Sequence, residues 1–336
     1  MPLPLKELVM TECMYTGPFK EHLQNHVELK QAIGYKYVTE ANHLKRFDRF
    51  TFEQYPEATS LTKEIVLDWC NKKTYEAQAN QCSRASILRA FSKYLDNLGI
   101  NAYVLPKGYY PSEQKYIPYI YTPDELTKFF EQTDKCNYCC ECPNRHHIMP
   151  VIFRMIYMCG LRASEARLLK VADVDCEQGT LIIHQSKKDN SRMIVMSDCL
   201  TERCRTFSAT VHGCSVSDDY YFPALNEKPI TLVNLYNNFR RFLWRARISH
   251  RGKGHGPRIH DFRHTYAVHC LKKWVEQEKD LMTYLPMLKT YMGHDSFAET
   301  AYYLRLTADV FPTMMLKIEL HYSAIIPELG GYDETN

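Results

Sequence analysis

Long apolar runs are missing from this chain. No run reaches the roughly 18 to 20 apolar residues that a membrane-spanning helix needs, so no membrane partner is expected. Charge at Lys6 and Glu7 interrupts the first residues, so we expect no secretory leader and a reducing, cytoplasmic environment. The 13 cysteines, an odd number, are then expected to be mostly free thiols that pack as small apolar side chains.

Acidic residues are missing from one stretch, the interval between Glu227 and Asp261. The whole chain has a formal net charge of only +3, so binding to a polyanion would need such a local patch. The basic residues of the interval are the candidate phosphate contacts: Arg240, Arg241, Arg245, Arg247, Arg251, Lys253 and Arg258. A solvated helix face followed by a loop is the alternative interpretation.

Helical periodicity dominates residues 1–104, which are predicted to form a helical domain of four helices. Ser83 or Ser86 is predicted to begin the fourth of these helices. Prolines and tyrosines are dense in residues 105–121, which favours an extended linker. The last residues, 321–336, contain Pro327 and a pair of glycines and are predicted to be a tail.

A second domain is predicted over residues 122–320. It begins with a helix announced by Thr122, Pro123 and Glu125, which together form a capping box with proline at the first helical position. Two runs, residues 180–184 and 193–196, have strand character and predict a hairpin. The predicted fold is therefore multidomain and mainly α, with an all-α N-terminal domain and an α+β second domain containing a small antiparallel sheet.

A cysteine-rich segment lies between two predicted helices. Its possible zinc ligands are Cys136, Cys139, Cys140, Cys142, His146 and His147. Structural zinc sites usually draw their ligand pairs from two separated segments, whereas these residues crowd into one loop. An ordinary surface loop is the preferred interpretation, and no metal is predicted.

Six positions form a candidate catalytic set: Arg162, Lys187, His260, Arg263, His294 and one of the adjacent tyrosines, Tyr302 or Tyr303. Arginine can grip two phosphate oxygens at once, and two arginines could hold one phosphodiester. A tyrosine hydroxyl becomes a nucleophile at neutral pH only with a base and positive charge nearby. Taken singly these residues have ordinary interpretations, such as an ion pair between Arg162 and Glu165.

The segments 160–165, 260–264 and 292–294, together with Tyr303, resemble the signature boxes of the tyrosine recombinases, the phage-integrase and Xer-like family of site-specific DNA recombinases. The nine-residue spacing from His294 to the nucleophile in that family favours Tyr303 over Tyr302. The turn at 185–187 resembles the family's β-hairpin with its catalytic lysine, which favours Lys187 over Lys188.

This resemblance implies a DNA breaking and rejoining fold whose N-terminal domain binds the core site. It implies that Tyr303 attacks the scissile phosphate and forms a 3′-phosphotyrosyl link without ATP, metal or any other cofactor. By this resemblance, Arg162 and Arg263 neutralise the charge on the phosphate, and Lys187 protonates the leaving 5′-oxygen. His260 accepts the proton of the tyrosine, and His294 donates a hydrogen bond to the phosphate. Glu165 orients the arginine and histidine side chains.

The resemblance also implies partners. We expect double-stranded DNA with specific recombination sites, and a homotetramer on two duplexes that docks its C-terminal segment onto a neighbour. An integrase of a bacterial mobile element is the favoured function. A type IB topoisomerase-like enzyme that relaxes DNA, and a catalytically silent DNA-binding regulator, are the alternatives.

Overall fold

The computed structural model describes residues 14–111, 116–184, 191–214, 216–225, 227–252, 256–294 and 296–310. The chain divides into two compact units, Met1–Lys115 and Tyr116–Asn336. This division falls inside the stretch predicted as a linker, and the roles predicted for the domains stay predictions. Among the described residues, no helix is both long enough and apolar enough to cross a membrane.

Unit 1 is helical. Its helices are α1 (Lys20–Ala32), α2 (Val38–Gln54), α3 (Lys63–Cys70) and α4 (Gln78–Asn97). They bury Phe47, Phe91 and Leu88 in one core, with the thiol of Cys70 among them. Thr62 begins α3 by accepting a hydrogen bond from the backbone N–H of Ile65.

The start predicted for α4, at Ser83 or Ser86, is wrong, because the helix begins at Gln78. Its first turns are polar in sequence, but their polar side chains are buried with partners. Gln81 donates to the carbonyl of Cys70 at 2.9 Å, and Arg84 forms an ion pair with Glu76 at 2.6 Å. Polar residues can be buried when their hydrogen bonds are satisfied. The first turns of α4 therefore lack the apolar periodicity by which a helix is recognised in a sequence.

Unit 2 combines eight α-helices and a short 3-10 helix, Val171–Asp173, with a small sheet in the described residues. The helices are α5 (Pro123–Asp134), α6 (Arg145–Met158), α7 (Ala163–Arg167), α8 (Asp198–Val211), α9 (Leu232–Arg245), α10 (Asp261–Glu276), α11 (Leu281–Met292) and α12 (Phe297–Val310). The strands are β1 (Val174–Asp175), β2 (Thr180–Ile183) and β3 (Arg192–Val195), and neighbouring strands pair antiparallel in the order β1-β2-β3. The predicted mainly α fold with a small antiparallel sheet is confirmed.

The start of α5 follows its sequence signature. Thr122 accepts from the backbone N–H of Glu125 at 3.2 Å, and the Glu125 carboxylate accepts from the backbone N–H of Thr122 at 2.9 Å. Pro123 occupies the first turn, where its missing N–H costs nothing. The predicted capping box is therefore confirmed.

The sheet differs from the prediction in the number of its strands and in their bounds, because β2 ends at Ile183 and β3 at Val195, each one residue before the predicted end. β1 was not predicted, because two residues are too few to show an alternating pattern. β3 begins at Arg192, one residue before the predicted start, and pairs it with Ile183. The predicted turn around Lys187 lies outside the described residues.

Two buried clusters support the helices of unit 2. The larger one contains Phe129, Phe153 and Phe262 from α5, α6 and α10, and it also buries the thiols of Cys159 and Cys204. The smaller one joins α10, α11 and α12, and it includes the ring of Tyr303. The second cluster fixes α12 against the helix that carries His260 to His264.

Candidate active site

Glu165 lies at the centre of a group of arginines. Its carboxylate accepts from the backbone N–H of Arg162 at 2.8 Å and from Arg162 Nη1 at 2.9 Å. Arg192 Nη2 donates to the same carboxylate at 2.8 Å, and Arg263 Nη1 lies 4.0 Å from it. These four residues are called the Glu165 cluster below.

The arginines of the Glu165 cluster also bind the end of α11. Arg192 Nε donates to the carbonyl of Tyr291 at 2.9 Å, Arg263 Nη2 donates to that of Met292, and Arg162 Nη2 donates to that of Gly293 at 3.2 Å. The C-terminal carbonyls of a helix lack intrahelical donors and carry partial negative charge. Three cations therefore bind three successive carbonyls just before His294.

Two glycines allow this close approach. Gly293 ends α11 with φ +63°, in the left-handed region where glycine is favoured. Gly160 has φ +60°, and a Cβ there would lie 2.6 Å from Cδ1 of Tyr266. Its carbonyl accepts from Arg263 Nη1 at 2.6 Å. Both glycines of the predicted boxes are thus required by backbone geometry.

Tyr303 lies on the second turn of α12 and points into the smaller cluster of unit 2. Its hydroxyl is hydrogen-bonded to Nδ1 of His264 at 2.9 Å. The side chain is 4% exposed, whereas neighbouring Tyr302 is 37% exposed. The two adjacent tyrosines therefore have opposite environments, and only Tyr303 faces the histidines.

The three histidines around Tyr303 differ in their contacts. His294 is hydrogen-bonded through Nδ1 to the hydroxyl of Thr300 at 2.9 Å, and its ring stacks on Tyr303 at 5.8 Å between centroids. His260 packs edge-on against His264, with 4.6 Å between their centroids. His264, rather than His260, is thus the histidine at hydrogen-bonding distance from Tyr303.

Burial and positive charge shift the pKa values of these groups. Burial, with the positive charges of Arg263 and Arg162, lowers the pKa of His294 to about 3. Burial and neighbouring His260 lower that of His264 to about 3. Burial raises the pKa of Tyr303 to about 12, although Arg263 opposes this. A neutral imidazole therefore faces a protonated phenol.

His260 and Arg263 are held by the first turn of α10. Partial desolvation, with Arg263 and Arg162, lowers the pKa of His260 to about 4, although part of the residue stays open to solvent. Burial lowers the pKa of Arg263 to about 10, and the nearby charge of Arg162 acts in the same direction. Arg263 is 1% exposed.

Asp261 anchors the turn before α10. Its Oδ2 accepts from the hydroxyl of Tyr116 at 2.7 Å and from the backbone N–H of Arg258 at 2.7 Å. The guanidinium of Arg258 lies over the Tyr116 ring, 3.1 Å from its centroid. The start of unit 2 is therefore tied to the segment that carries His260.

The predicted basic interval splits into two groups. Arg240, Arg241 and Arg245 are exposed on α9, and no hydrogen bond or ion pair holds their side chains within the described part of the chain. These three arginines are called the α9 stripe below. Of the others, Arg247 and Arg251 lie after α9 with positive φ, Arg258 contacts Tyr116, and Lys253 lies outside the described residues.

Two further predictions concern the catalytic lysine and the cysteines. Lys187 lies outside the described residues, so its predicted role stays a prediction. Among the residues that the structure describes, no group of three histidine, cysteine or acidic side chains could hold a metal ion. All 12 described cysteines are free thiols.

Sequence reasoning missed several contacts of this site. His264 and Arg192 were given no role, and neither was Thr300. His264 follows His260 by four residues, and residues at this spacing share one face of a helix. This spacing could have indicated that His264 lies in the site. Arg192 and Ile194 share the buried face of β3. A charged side chain on a buried face is unusual, so the position of Arg192 was a signal.

The model of the phage integrase family matches residues 121–309, which is more than half of the chain. The chain belongs to the phage integrase family. It is therefore a site-specific recombinase of the tyrosine type. The match covers all the segments that carry the Glu165 cluster and Tyr303.

Curated relatives of this integrase-family chain include two that cover most of it. An integrase/recombinase of Sinorhizobium fredii (y4rB) is 26% identical over 307 residues, covering 90% of this chain and 97% of the relative. A tyrosine recombinase of Pseudothermotoga lettingae is 23% identical over 276 residues, covering 80% and 86%. Both alignments extend beyond the segment that the family model matches.

Solved structures share the fold of this integrase-family chain. The Tn1549 transposon integrase in complex with transposon right end DNA has a TM-score of 0.63 at 15% identity, covering 89% of this chain and 99% of that one. The XerH recombinase bound to its difH substrate has a TM-score of 0.59 at 19% identity, covering 86% and 81%. At these identities the likeness shows the fold.

Proposed function

We propose that this recombinase cleaves and rejoins DNA through a covalent link between Tyr303 and a 3′-phosphate, and that it serves a bacterial mobile element. The observation that carries the proposal is the position of the Tyr303 hydroxyl, 2.9 Å from His264 Nδ1 and close enough to Arg263 for its positive charge to act on the pKa of the phenol. A nucleophile, a neutral base and fixed positive charge are the components that phosphoryl transfer needs.

In the cleavage step, Tyr303 Oη forms a bond to phosphorus and the bond from phosphorus to the 5′-oxygen breaks. The phenolic proton passes to a histidine. His260 is the acceptor implied by the family resemblance, and His264 is the one at hydrogen-bonding distance from the phenol. Lys187 supplies a proton to the departing 5′-oxygen, which leaves as a hydroxyl.

Arg162 and Arg263 stabilise the charge that develops on the phosphoryl oxygens, and His294 adds a hydrogen bond. The Arg162 side chain is 38% exposed, so it is accessible to a phosphate as it stands. Arg263 and Tyr303 are nearly inaccessible in this arrangement. Cleavage therefore requires α12 to shift relative to α10 so that the phosphate can enter.

The phosphotyrosyl bond conserves the energy of the phosphodiester. A 5′-hydroxyl from a second duplex attacks the phosphorus and gives its proton to the Lys187 amine. The bond from phosphorus to the Tyr303 oxygen breaks, and this oxygen recovers its proton from the histidine. Because no bond energy is lost, the exchange needs neither ATP nor a divalent metal. Glu165 orients the arginines through the hydrogen bonds described above.

Double-stranded DNA is the proposed partner in the cytoplasm. The α9 stripe, with Arg247, Arg251, Lys253 and Arg258, would contact backbone phosphates and make binding dependent on salt. The N-terminal domain is proposed to bind the core site. Strand exchange is proposed to use four copies on two duplexes, joined by the segment that follows Tyr303.

Trapping of the covalent intermediate tests this function. Cells expressing the protein are lysed in denaturant, and DNA bound to the protein is recovered and sequenced. A nicked duplex carrying the recovered sequence then serves as a suicide substrate. We expect adducts with the wild-type protein and with Tyr302→Phe, and none with Tyr303→Phe.

The control in this experiment is the adjacent Tyr302, which is the same residue type but is exposed. Absence of adducts with the wild-type protein would support the silent DNA-binding regulator. Adducts accompanied by relaxation of plasmids, without joining of two marked sites, would support the topoisomerase-like alternative.

A further inference from the structure

Arg192 is a buried arginine that the proposed mechanism does not use. It is the first residue of β3 and is 8% exposed. Its Nη2 donates to Glu165 at 2.8 Å and its Nε donates to the carbonyl of Tyr291 at 2.9 Å. Its Nη1 is buried and has no hydrogen-bond partner among the described residues.

The contacts of Arg192 connect three elements around one carboxylate. Arg162 begins α7, Arg263 lies on α10, and both reach the carboxylate of Glu165 and the last carbonyls of α11. From the sheet, Arg192 reaches the same carboxylate and a third carbonyl at the end of α11, that of Tyr291. It therefore shares Glu165 and the end of α11 with the two arginines that are proposed to bind phosphate, while being itself more deeply enclosed than Arg162.

We propose that Arg192 is a positioning residue for recombination: by bridging Glu165 to the C-terminal end of α11, it fixes Arg162, Arg263 and His294 in one arrangement. This inference rests on the proposed function, in which those three residues contact the scissile phosphate. Arg192 acts through Glu165 and α11 and does not itself touch DNA.

The physical basis is the charge of Glu165. Hydrogen bonding and positive charge from Arg192 hold the pKa of Glu165 below its usual value against the opposing effect of burial. The other charged or titratable groups that face this carboxylate are Arg162 on its own segment and Arg263 and His260 on α10. Without Arg192, Glu165 is protonated more readily and binds Arg162 less strongly.

Arg154 provides a matched control. It is also 8% exposed, lies in the same unit, and donates two 2.7 Å hydrogen bonds to the carboxylate of Asp134. It contacts no residue of the Glu165 cluster. Arg154→Gln therefore reproduces the loss of a buried arginine with a carboxylate partner, without affecting the proposed site.

The first test measures adduct formation on the nicked duplex at saturating DNA. Because loss of a hydrogen bond to a charged group at a reacting site slows the chemical step, we expect Arg192→Gln to reduce the rate about 10-fold to 100-fold. Arg192→Lys, which keeps the charge and one donor position, should recover part of the rate. Arg154→Gln should retain the wild-type rate below its melting temperature.

A double-mutant cycle with Glu165→Gln separates positioning from general destabilisation. If Arg192 acts through Glu165, adding Arg192→Gln to Glu165→Gln should lower the rate by less than about threefold. The pH profile gives a second signature. As the pH is lowered, the rate of Arg192→Gln should fall more steeply than that of the wild-type protein or Arg154→Gln, since Glu165 is protonated more readily without Arg192.

Hydrogen exchange provides a test that needs no DNA. The backbone N–H of His294 donates to the carbonyl of Lys289 at 3.0 Å, in the turn that Arg192 anchors. We expect residues 289–294 to exchange faster in Arg192→Gln or Arg192→Lys than in the wild-type protein, and at the wild-type rate in Arg154→Gln. If Arg192→Gln does not fold, the adduct rate and the exchange at 289–294 are both measured on Arg192→Lys.

The outcomes separate the two proposals. If the wild-type protein forms no adducts, the proposed function is wrong, and exchange at 289–294 still tests the structural part of the inference. If the wild-type protein forms adducts but Arg192→Gln matches it in rate and exchange, the role of Arg192 is overturned. Equal losses in Arg192→Gln and Arg154→Gln would also overturn it.

Discussion

Two sets of arginines in unit 2 differ in what their guanidinium groups contact. In the Glu165 cluster, Arg192 and Arg263 are buried and both donate to backbone carbonyls. Arg192 also donates to the Glu165 carboxylate, which lies 4.0 Å from Arg263. In the α9 stripe, the side chains are exposed, and within the described ranges no hydrogen bond or ion pair holds them. Arginine therefore binds buried acceptors and holds the elements together in the Glu165 cluster, whereas it supplies exposed positive charge in the α9 stripe.

This difference has energetic consequences. A buried guanidinium is costly to desolvate, and removing it leaves its acceptors without donors, at about 1 to 3 kcal/mol for each unsatisfied group. An exposed guanidinium costs little to keep and little to remove. Substitutions in the cluster should thus change geometry and stability together, whereas substitutions in the stripe should change only the affinity for polyanions.

The largest effect is expected for Arg263→Gln. It removes the donors to the carbonyls of Gly160 and Met292 and the ion pair with Glu165, together with the charge proposed to stabilise the transition state. We expect adduct formation to fall by about 1,000-fold and the melting temperature to decrease. Lysine at this position cannot bridge two carbonyls, so Arg263→Lys should recover little. A wild-type rate in either variant would contradict the proposed role.

The second largest effect is expected when the α9 stripe is removed as a triple substitution to glutamine. DNA binding should weaken by about 10-fold to 100-fold, and the salt dependence of log Kd should decrease by about 0.9 for each phosphate that the variant no longer neutralises. Anisotropy titrations at several salt concentrations measure both quantities. The melting temperature and the adduct rate at saturating DNA should stay near wild type. A large decrease in the melting temperature would show that the α9 arginines contribute to stability, as the cluster arginines do.

A pH effect on stability should distinguish the interior of the site from its surface. The pKa values of His264 and His294 are lowered to about 3 in the folded chain. Below pH 6.5, the unfolded chain binds more protons than the folded one, so stability decreases as the pH falls, by up to about 1.4 kcal/mol per pH unit for each group. His264→Gln should flatten this slope in urea unfolding, and the α9 triple variant should not.

The smallest effect is expected for Thr300→Val. Thr300 is buried, and its hydroxyl holds Nδ1 of His294. Losing one neutral hydrogen bond of about 1 kcal/mol should slow adduct formation about fivefold while DNA affinity stays unchanged. Thr300→Ser, which keeps the hydroxyl, is the control. If both variants were equally slow, packing rather than the hydrogen bond would account for the slower reaction.

Local signals in the sequence predicted much of this fold. The capping box at Thr122 depends on residues that are close in sequence, and it is present in the structure. The start of α4 and strand β1 were missed, because the first depends on buried polar contacts and the second is too short for periodicity.

The site was predictable only in part for a related reason. Motifs pointed to Arg162, Arg263 and Tyr303, but motifs do not show which atoms meet. The pairing of His264 with Tyr303 spans 39 residues, and that of Arg192 with Tyr291 spans 99. Such contacts arise from tertiary packing of helices and strands, for which a single sequence gives no direct signal.

The buried thiols offer a way to follow each unit separately. Burial raises the pKa of Cys70 to about 11 in unit 1 and that of Cys204 to about 12 in unit 2, so neither presents a reactive thiolate at neutral pH. Cys140, Cys199 and Cys214 are exposed and should be alkylated at once. Later alkylation, located by peptide mapping, would then report the opening rate of each unit from one sample.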